Sequence, residues 1–196
     1  MSLSFVLPIV AALSPVAFAG PSVGLHAELP TLHSPMARYS GEEVEHGLPI
    51  SLGARADLGF GLGGDVRSLV VALGVRRSGV DIGRVDHAML DLAYREAMDG
   101  GPAVHPFWEV GLGVEALRLQ DAEGADLALH MGPRFFGALG MGLGSKRLQP
   151  TLGVRASFTA ATGSFDLPSV KLDDEDIERF YMPSVLVLAG TVGLRF

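Results

Sequence analysis

The carboxy-terminal stretch Val185-Leu186-Val187-Leu188-Ala189-Gly190-Thr191-Val192-Gly193-Leu194-Arg195-Phe196 decides how this chain folds. In an extended strand, residues two apart share a face. Leu186, Leu188, Val192, Leu194 and Phe196 then line one side, and Ala189, Thr191, Gly193 and Arg195 the other. One face is greasy, and the other carries a guanidinium with a glycine two places before it. The same phrase recurs at Gly53/Arg55, Gly74/Arg76, Gly132/Arg134 and Gly153/Arg155, and Gly113/Glu115 repeats it with the charge reversed. A water-soluble barrel turns its apolar face inward. Here the inward side has to hold arginines, with glycine beside them making room, and that inversion points to a barrel standing in a membrane.

Working back from the carboxy terminus, alternating segments are read at 22–29, 50–62, 68–77, 88–98, 106–119, 127–143, 148–161 and 182–196. Eight is an even number, and the fold expected is all-β: an eight-stranded antiparallel up-and-down transmembrane β-barrel. With the amino terminus in the periplasm, the outer loops fall at 30–49, 78–87, 120–126 and 162–181. The opposite connections are short. Gly63-Gly64-Asp65, Asp99-Gly100-Gly101-Pro102 and Gly144-Ser145-Lys146 carry the glycine and aspartate of tight hairpins.

Composition agrees with one exported domain. The chain has no cysteine, so no disulfide, zinc-thiolate or thiol-nucleophile chemistry is open to it. A net charge of -7, with no lysine and arginine cluster interleaved with aromatics, argues against a nucleic-acid partner. Residues 1–19 read as a secretory signal peptide, with an apolar run over 3–13 and then Ala17-Phe18-Ala19, so that cleavage falls before Gly20. Met1-Ser2-Leu3-Ser4 departs from the usual pattern in having no lysine or arginine. Residues 20–196 form the barrel domain. Elsewhere no uncharged apolar run approaches the ~18 residues of a spanning helix, yet mean hydropathy is +0.34. Strands with an oily outside reconcile the two.

Arg195-Phe196 closes the last strand on an aromatic residue. At this point the chain resembles the small outer-membrane β-barrel proteins of Gram-negative bacteria, the group that includes the membrane domain of outer-membrane protein A. The resemblance implies that Val192, Leu194 and Phe196 are the signal read by the barrel-assembly machinery during insertion. It also implies residence in the outer membrane, contact with outer-membrane lipid and lipopolysaccharide, and a monomer. Aromatic belts are expected at both interfaces. Phe60, Tyr94, Trp108 and Phe196 fall near the periplasmic ends of outward rows, and Phe158, Phe165, Phe180 and Tyr181 near the outer ends.

Alternation places His26, Glu28, Arg55, Asp57, Arg76, Asp91, Arg95, Glu109, Glu115, His130, Arg134, Arg155 and Arg195 inside. An eight-stranded barrel is only wide enough for side chains to fill it. An unpaired buried charge costs several kcal/mol, whereas arginine offers a carboxylate two parallel hydrogen bonds, so these groups should pair into a closed plug.

Catalytic sets are sparse. Ser-His-acid deacylation needs a base within reach of the hydroxyl. The nearest approaches are His33-Ser34 with Glu42, Glu43 or Glu45, and His87 beside Asp86 with Ser78 across a loop. There is no Gly-x-Ser-x-Gly elbow, and no enzymatic activity is expected. The six histidines form neither His-x-His nor His-Glu-x-x-His, so no metal is expected. Gly59-x-Gly61-x-x-Gly64 fits a dinucleotide fingerprint nominally, but it leads into another strand, so a hairpin turn is expected and no cofactor.

Asp173, Asp174, Glu175, Asp176 and Glu178 make one outer loop acidic, with Leu172, Ile177 and Phe180 spaced as one side of a short helix. Their carboxylates are candidates for divalent ions or other surface contacts, against a plain solvated loop. The role expected is structural or surface-interacting. The competing readings are a barrel enzyme acting on lipid A or phospholipid, and a soluble periplasmic lipid-binding barrel, which would invert every strand. No cell-wall-binding segment is read after Phe196.

Overall fold

Alternation of large apolar and polar or small residues becomes a two-faced wall as soon as the strands pair, and the wall then closes on itself. The computed structural model describes residues 21–33, 38–39, 42–43, 51–63, 66–80, 83–98, 103–144, 148–160, 163–172, 175–182 and 184–196. Eight strands make the closed barrel: β1 (Ser22–His33), β4 (Ser51–Gly61), β5 (Arg67–Val80), β6 (Gly83–Ala97), β7 (Val104–Asp121), β8 (Asp126–Leu143), β9 (Gln149–Thr159) and β12 (Val185–Arg195). Each pairs antiparallel with its chain neighbours in the barrel. Closure is by β1 on β12, with Leu25 opposite Leu194 and His26 opposite Gly193. Phe196 belongs to that seam, because its amide donates to the Val23 carbonyl at 2.8 Å and its own oxygen accepts from Val23 N at 3.1 Å.

The sidedness is that of the alternating pattern. Leu73, Leu139, Leu186, Leu188 and Leu194 lie exposed on the outside, whereas Arg55, Arg134 and Arg155 are buried within. Arg134 is 1% exposed and Leu73 64%. Near the end that carries the short turns, Tyr94 and Trp108 pack with ring centroids 5.3 Å apart, and Phe60 shares the row of Tyr94 through Leu69. Toward the other end Phe158 stands between Phe135 and Leu186. At the turns Gly63 and Gly144 take φ of 71° and 80°, a left-handed backbone that glycine adopts without a Cβ penalty. Gly59 and Gly61 are within or at the end of β4, and the next element is β5, so this segment is a hairpin; Gly64 lies outside the described residues.

Three expectations need correction. First, β5 and β6 stay paired as far as Val80 opposite Gly83, so 78–80 and 83–87 are strand rather than loop, and Ser78 and His87 are part of the wall. Polar residues there signal a loop only if the strand is assumed to end at the apolar band; Arg77 opposite Asp86 gives this extension its own cross-strand pair. Second, the connections 30–49 and 162–181 contain strands. β2 (Arg38–Tyr39), β3 (Glu42–Glu43), β10 (Gly163–Leu172) and β11 (Glu175–Met182) form a second sheet in the order β10-β11-β2-β3.

Third, the short helix expected around Leu172, Ile177 and Phe180 is absent. Glu175, Asp176, Ile177, Glu178 and Phe180 are on β11, whose backbone pairs with β10 (Val170 opposite Ile177, Phe165 opposite Phe180). Isoleucine, phenylalanine and tyrosine favour an extended backbone when a partner strand can satisfy it. Asp173 and Asp174 lie outside the described residues, as does the expected signal segment 1–19. The two long connections meet through Phe180 opposite Tyr39 and Tyr181 opposite Arg38.

Candidate functional site

The inward rows bring together Glu28, Arg55, Asp57, Arg76, Asp91, Arg95, Glu109, Glu115, Arg134 and Arg155, all buried. They come from seven strands: β1, β4, β5, β6, β7, β8 and β9. Each carboxylate holds more than one cation. Glu109 accepts from Arg55 Nη2 at 2.9 Å and from Arg155 Nη2 at 3.2 Å, and its second oxygen lies 2.7 Å from Arg95 Nη2. Asp57 takes Arg95 Nη2 at 3.0 Å and Arg55 Nη1 at 3.2 Å, with His26 Nε2 2.9 Å away. Asp91 accepts from Arg134 Nη1 at 2.6 Å. Glu28 lies 3.3 Å from both Arg76 Nη2 and Arg155 Nε. Shared carboxylates of this kind lock the guanidinium planes, because moving one arginine uncovers a charge that two others depend on.

Arg195 is tied in differently. Its Nη1 donates to Gln149 Oε1 at 3.4 Å, and its guanidinium lies over the Phe107 ring, 5.0 Å from the centroid. Two phenylalanines outside the inward set given by alternation organise the cations. Phe136 faces Arg155, Arg134 and Arg55 at 4.7, 5.1 and 5.8 Å, and Phe107 also faces Arg95 at 5.6 Å. Ring faces are electron-rich, so each stabilises several guanidiniums without needing a counter-charge of its own. Parity held the signal: Phe107 is two residues before Glu109, and Phe136 two after Arg134.

Glycine also makes room for the rings. A Cβ on Gly111 falls 2.5 Å from Phe136 Cζ, and one on Gly140 falls 2.5 Å from Phe107 Cζ and 2.9 Å from the Leu152 carbonyl oxygen. At these two positions glycine clears space for a phenylalanine on the directly paired residue of the next strand. Gly140→Ala should therefore destabilise the barrel by about 1–3 kcal/mol, through displaced ring and backbone atoms. A urea-unfolding midpoint unchanged from wild type would show that the ring moves aside freely.

Toward the loop-bearing end the interior turns apolar and hydroxylic, with Val85, Leu117, Leu119, Val185 and Val187 buried beside Ser51, Ser78, Ser157 and Thr159. His87 belongs to this layer. Its Nδ1 is 2.7 Å from Glu115 Oε1, and its Nε2 is 3.5 Å from Ser78 Oγ, which in turn is 2.7 Å from Ser51 Oγ. Thr159 Oγ1 donates to the other oxygen of Glu115. The acid facing His87 is thus Glu115, not the neighbouring Asp86, which points outward to Arg77 at 2.6 Å. This corrects the sequence reading, since residues adjacent in a strand face opposite sides.

The chain of contacts has the connectivity of a hydrolytic relay, but Ser78 is 0% exposed and its hydroxyl has no open side toward a substrate. These side chains form one hydrogen-bonded polar layer inside the barrel. The side chains of His33, Ser34, Glu42, Glu43 and Glu45 lie outside the described residues. Among the described residues no group of histidine, aspartate and glutamate has metal-binding geometry.

Neither a protein-family model nor a curated protein matches the sequence. Solved structures do match in fold. Neisserial surface protein A aligns with a TM-score of 0.64 at 12% identity, over 91% of this chain and 97% of the other. The outer-membrane protein OprG from Pseudomonas aeruginosa gives 0.52 at 12% identity, over 91% and 97%. The outer-membrane enzyme PagL gives 0.50 at 14% identity, over 87% and 97%. With apolar residues outside, a charged interior and these neighbours, the chain has the eight-stranded closed antiparallel fold of the small Gram-negative outer-membrane barrels.

Proposed function

We propose that this protein is an integral outer-membrane barrel with a closed, ion-paired interior, and that its role is structural, its loop-bearing end serving as the surface offered to partners. The observation that carries the proposal is the double sidedness: leucines cover the outside while five carboxylates and six arginines (Arg55, Arg76, Arg95, Arg134, Arg155 and Arg195) fill the inside. Such an interior is expensive in any arrangement that leaves a charge uncovered; here shared carboxylates and two phenylalanine faces lie against the guanidiniums, although buried nitrogens such as Arg76 Nε and Nη1 make no hydrogen bond. Export by removal of residues 1–19, insertion guided by Val192, Leu194 and Phe196, and a monomeric state in lipopolysaccharide-containing membrane belong to the same reading.

The likeness to PagL extends to the fold, and the fully enclosed Ser78 favours the non-enzymatic reading. Fractionation tests the location: the protein is expected in the outer membrane, migrating differently on gels before and after boiling, and recovery from the soluble periplasm would overturn it. Planar-bilayer recording tests the interior. Purified protein should give no reproducible porin-sized conductance steps, and regular steps would remove the plug.

A further inference from the structure

The outer wall carries one feature that the plug does not use. Ala27, Ala54, Val75, Ala88, Ala116 and Met131 are direct cross-strand partners, one after another, along a single outward row from β1 to β8. The row nearer the turns is built of larger groups, among them Leu25, Leu73, Leu90 and Val114, all exposed. The row nearer the loops begins with Leu52 and ends with Leu129, again exposed, but between them come Arg77, Asp86 and Arg118. The result is a hollow of about 960 Å³ on the outside of the barrel, floored by alanine and walled at one edge by Arg77, Asp86 and Arg118.

Charge on this wall has a definite place. The outward residues nearer the barrel's middle are apolar, and a lipid-facing charge is tolerated near an interface rather than at mid-depth. The arginine edge therefore marks the level of headgroups, and the hollow begins one outward residue below it, ~7 Å along a strand. Arg77 Nε donates to Asp86 Oδ1 at 2.6 Å, and Arg118 makes two bonds of 2.7 Å to Asp126. Arg84, on the same face, donates to the neutral Gln120 at 2.7 Å and comes only within 3.9 Å of Asp86. Three guanidiniums thus meet two carboxylates, and all three cation side chains are substantially exposed. The surplus sits on Arg84, one outward residue beyond the charged edge of the hollow, and it suits an anion attached to an acyl chain that lies in the hollow.

We propose that the hollow binds a phosphate-bearing acyl lipid of the surrounding leaflet, with the chain lying over Ala54, Ala88 and Ala116 and the phosphate against Arg84 and Arg118. Guanidinium groups match phosphate oxygens bidentately, and a chain in the hollow replaces a gap with contacts. The inference rests on the membrane reading, but the two fail differently: a soluble protein would fail fractionation before any lipid is added, whereas a membrane barrel without this site would fail only the assay below.

The purified, delipidated full-length barrel in detergent micelles is titrated with phosphatidylglycerol, with phosphatidylcholine and with inorganic phosphate, and bound lipid is counted by native mass spectrometry. Saturable binding of phosphatidylglycerol is expected. Arg84→Gln with Arg118→Gln should weaken it about tenfold, the scale of a lost charge-assisted bond. Ala88→Leu with Ala116→Leu, which fills the hollow with side chains that the rest of the wall already carries, should weaken it similarly while leaving heat-modifiable migration intact. Equal affinity for phosphatidylcholine, equal affinity for inorganic phosphate alone, or indifference to either double substitution would overturn the site.

Discussion

Glu109→Gln should lower the unfolding free energy of the barrel by about 3–5 kcal/mol, the scale of removing one partner from a buried ion pair. The carboxylate of Glu109 is 2% exposed and faces Arg55, Arg95 and Arg155 together. An arginine cannot lose its proton to relieve the imbalance, and the remaining carboxylates are already shared. The amide keeps the shape of the side chain, so the loss reports charge rather than a cavity. Trp108, the single tryptophan, lies next to Glu109 on β7 and supplies the fluorescence signal for urea unfolding in lipid vesicles. Asp126→Asn is the matched control. Its partner Arg118 is bonded at 2.7 Å, but both side chains are about half exposed, and such pairs contribute no more than about 1 kcal/mol. If the two substitutions cost the same, the interior charges are in contact with water and the plug does not exist.

Leu73→Arg should cost about 2–4 kcal/mol, whereas Leu52→Arg should cost only about 0–1 kcal/mol, the depth dependence of a charge on a lipid-facing barrel wall. Both leucines are more than 60% exposed. In a water-soluble protein neither change would exceed about 0.5 kcal/mol, since each replaces one exposed side chain by another. Here the positions differ in what surrounds them. Leu73 faces Ala56 and Leu90 across its two ladders, in an apolar row. Leu52 is opposite Arg77 in the row that already bears charge. Equal and small effects at both sites in vesicle refolding would remove hydrocarbon from the outside of the barrel, and with it the reading of the whole wall.

The two experiments probe opposite faces of the same strands, and those faces were readable for a physical reason. A strand's side-chain period of two is a local property of an extended backbone. It therefore followed from residues such as Gly53-Ala54-Arg55-Ala56-Asp57, before any partner strand is known, that Arg55 and Asp57 share a side and that Ala54 and Ala56 take the other. Strand number, sidedness, the buried set from Glu28 to Arg155 and the hairpin glycines Gly63 and Gly144 are all of this kind. Local period says least at strand ends and about apolar residues on the polar face. Polarity alone puts Ser78 and His87 in a loop, an alternation of charges passes over Phe107 and Phe136, and Leu172, Ile177 and Phe180 have the spacing of a helix face although 175–182 pairs with 163–172 as a strand.

What only the tertiary structure decided is which residue meets which. Glu109 reaches Arg55 across 54 positions of sequence, and Arg76 reaches Glu28 across 48. Nothing local encodes such distances. They are set by the register of each ladder and by the curvature that turns eight pleated strands into a tube narrow enough for its side chains to touch. The same curvature placed Phe107 against Gly140, gave His87 the acid Glu115 in place of Asp86, and lined up alanines from four strands beneath a charged edge. The sequence by itself determined what each face of every strand is made of, because that depends on backbone period alone. Pairing, enclosure and the outer hollow waited for the closed barrel, because they depend on contacts between residues far apart in the chain.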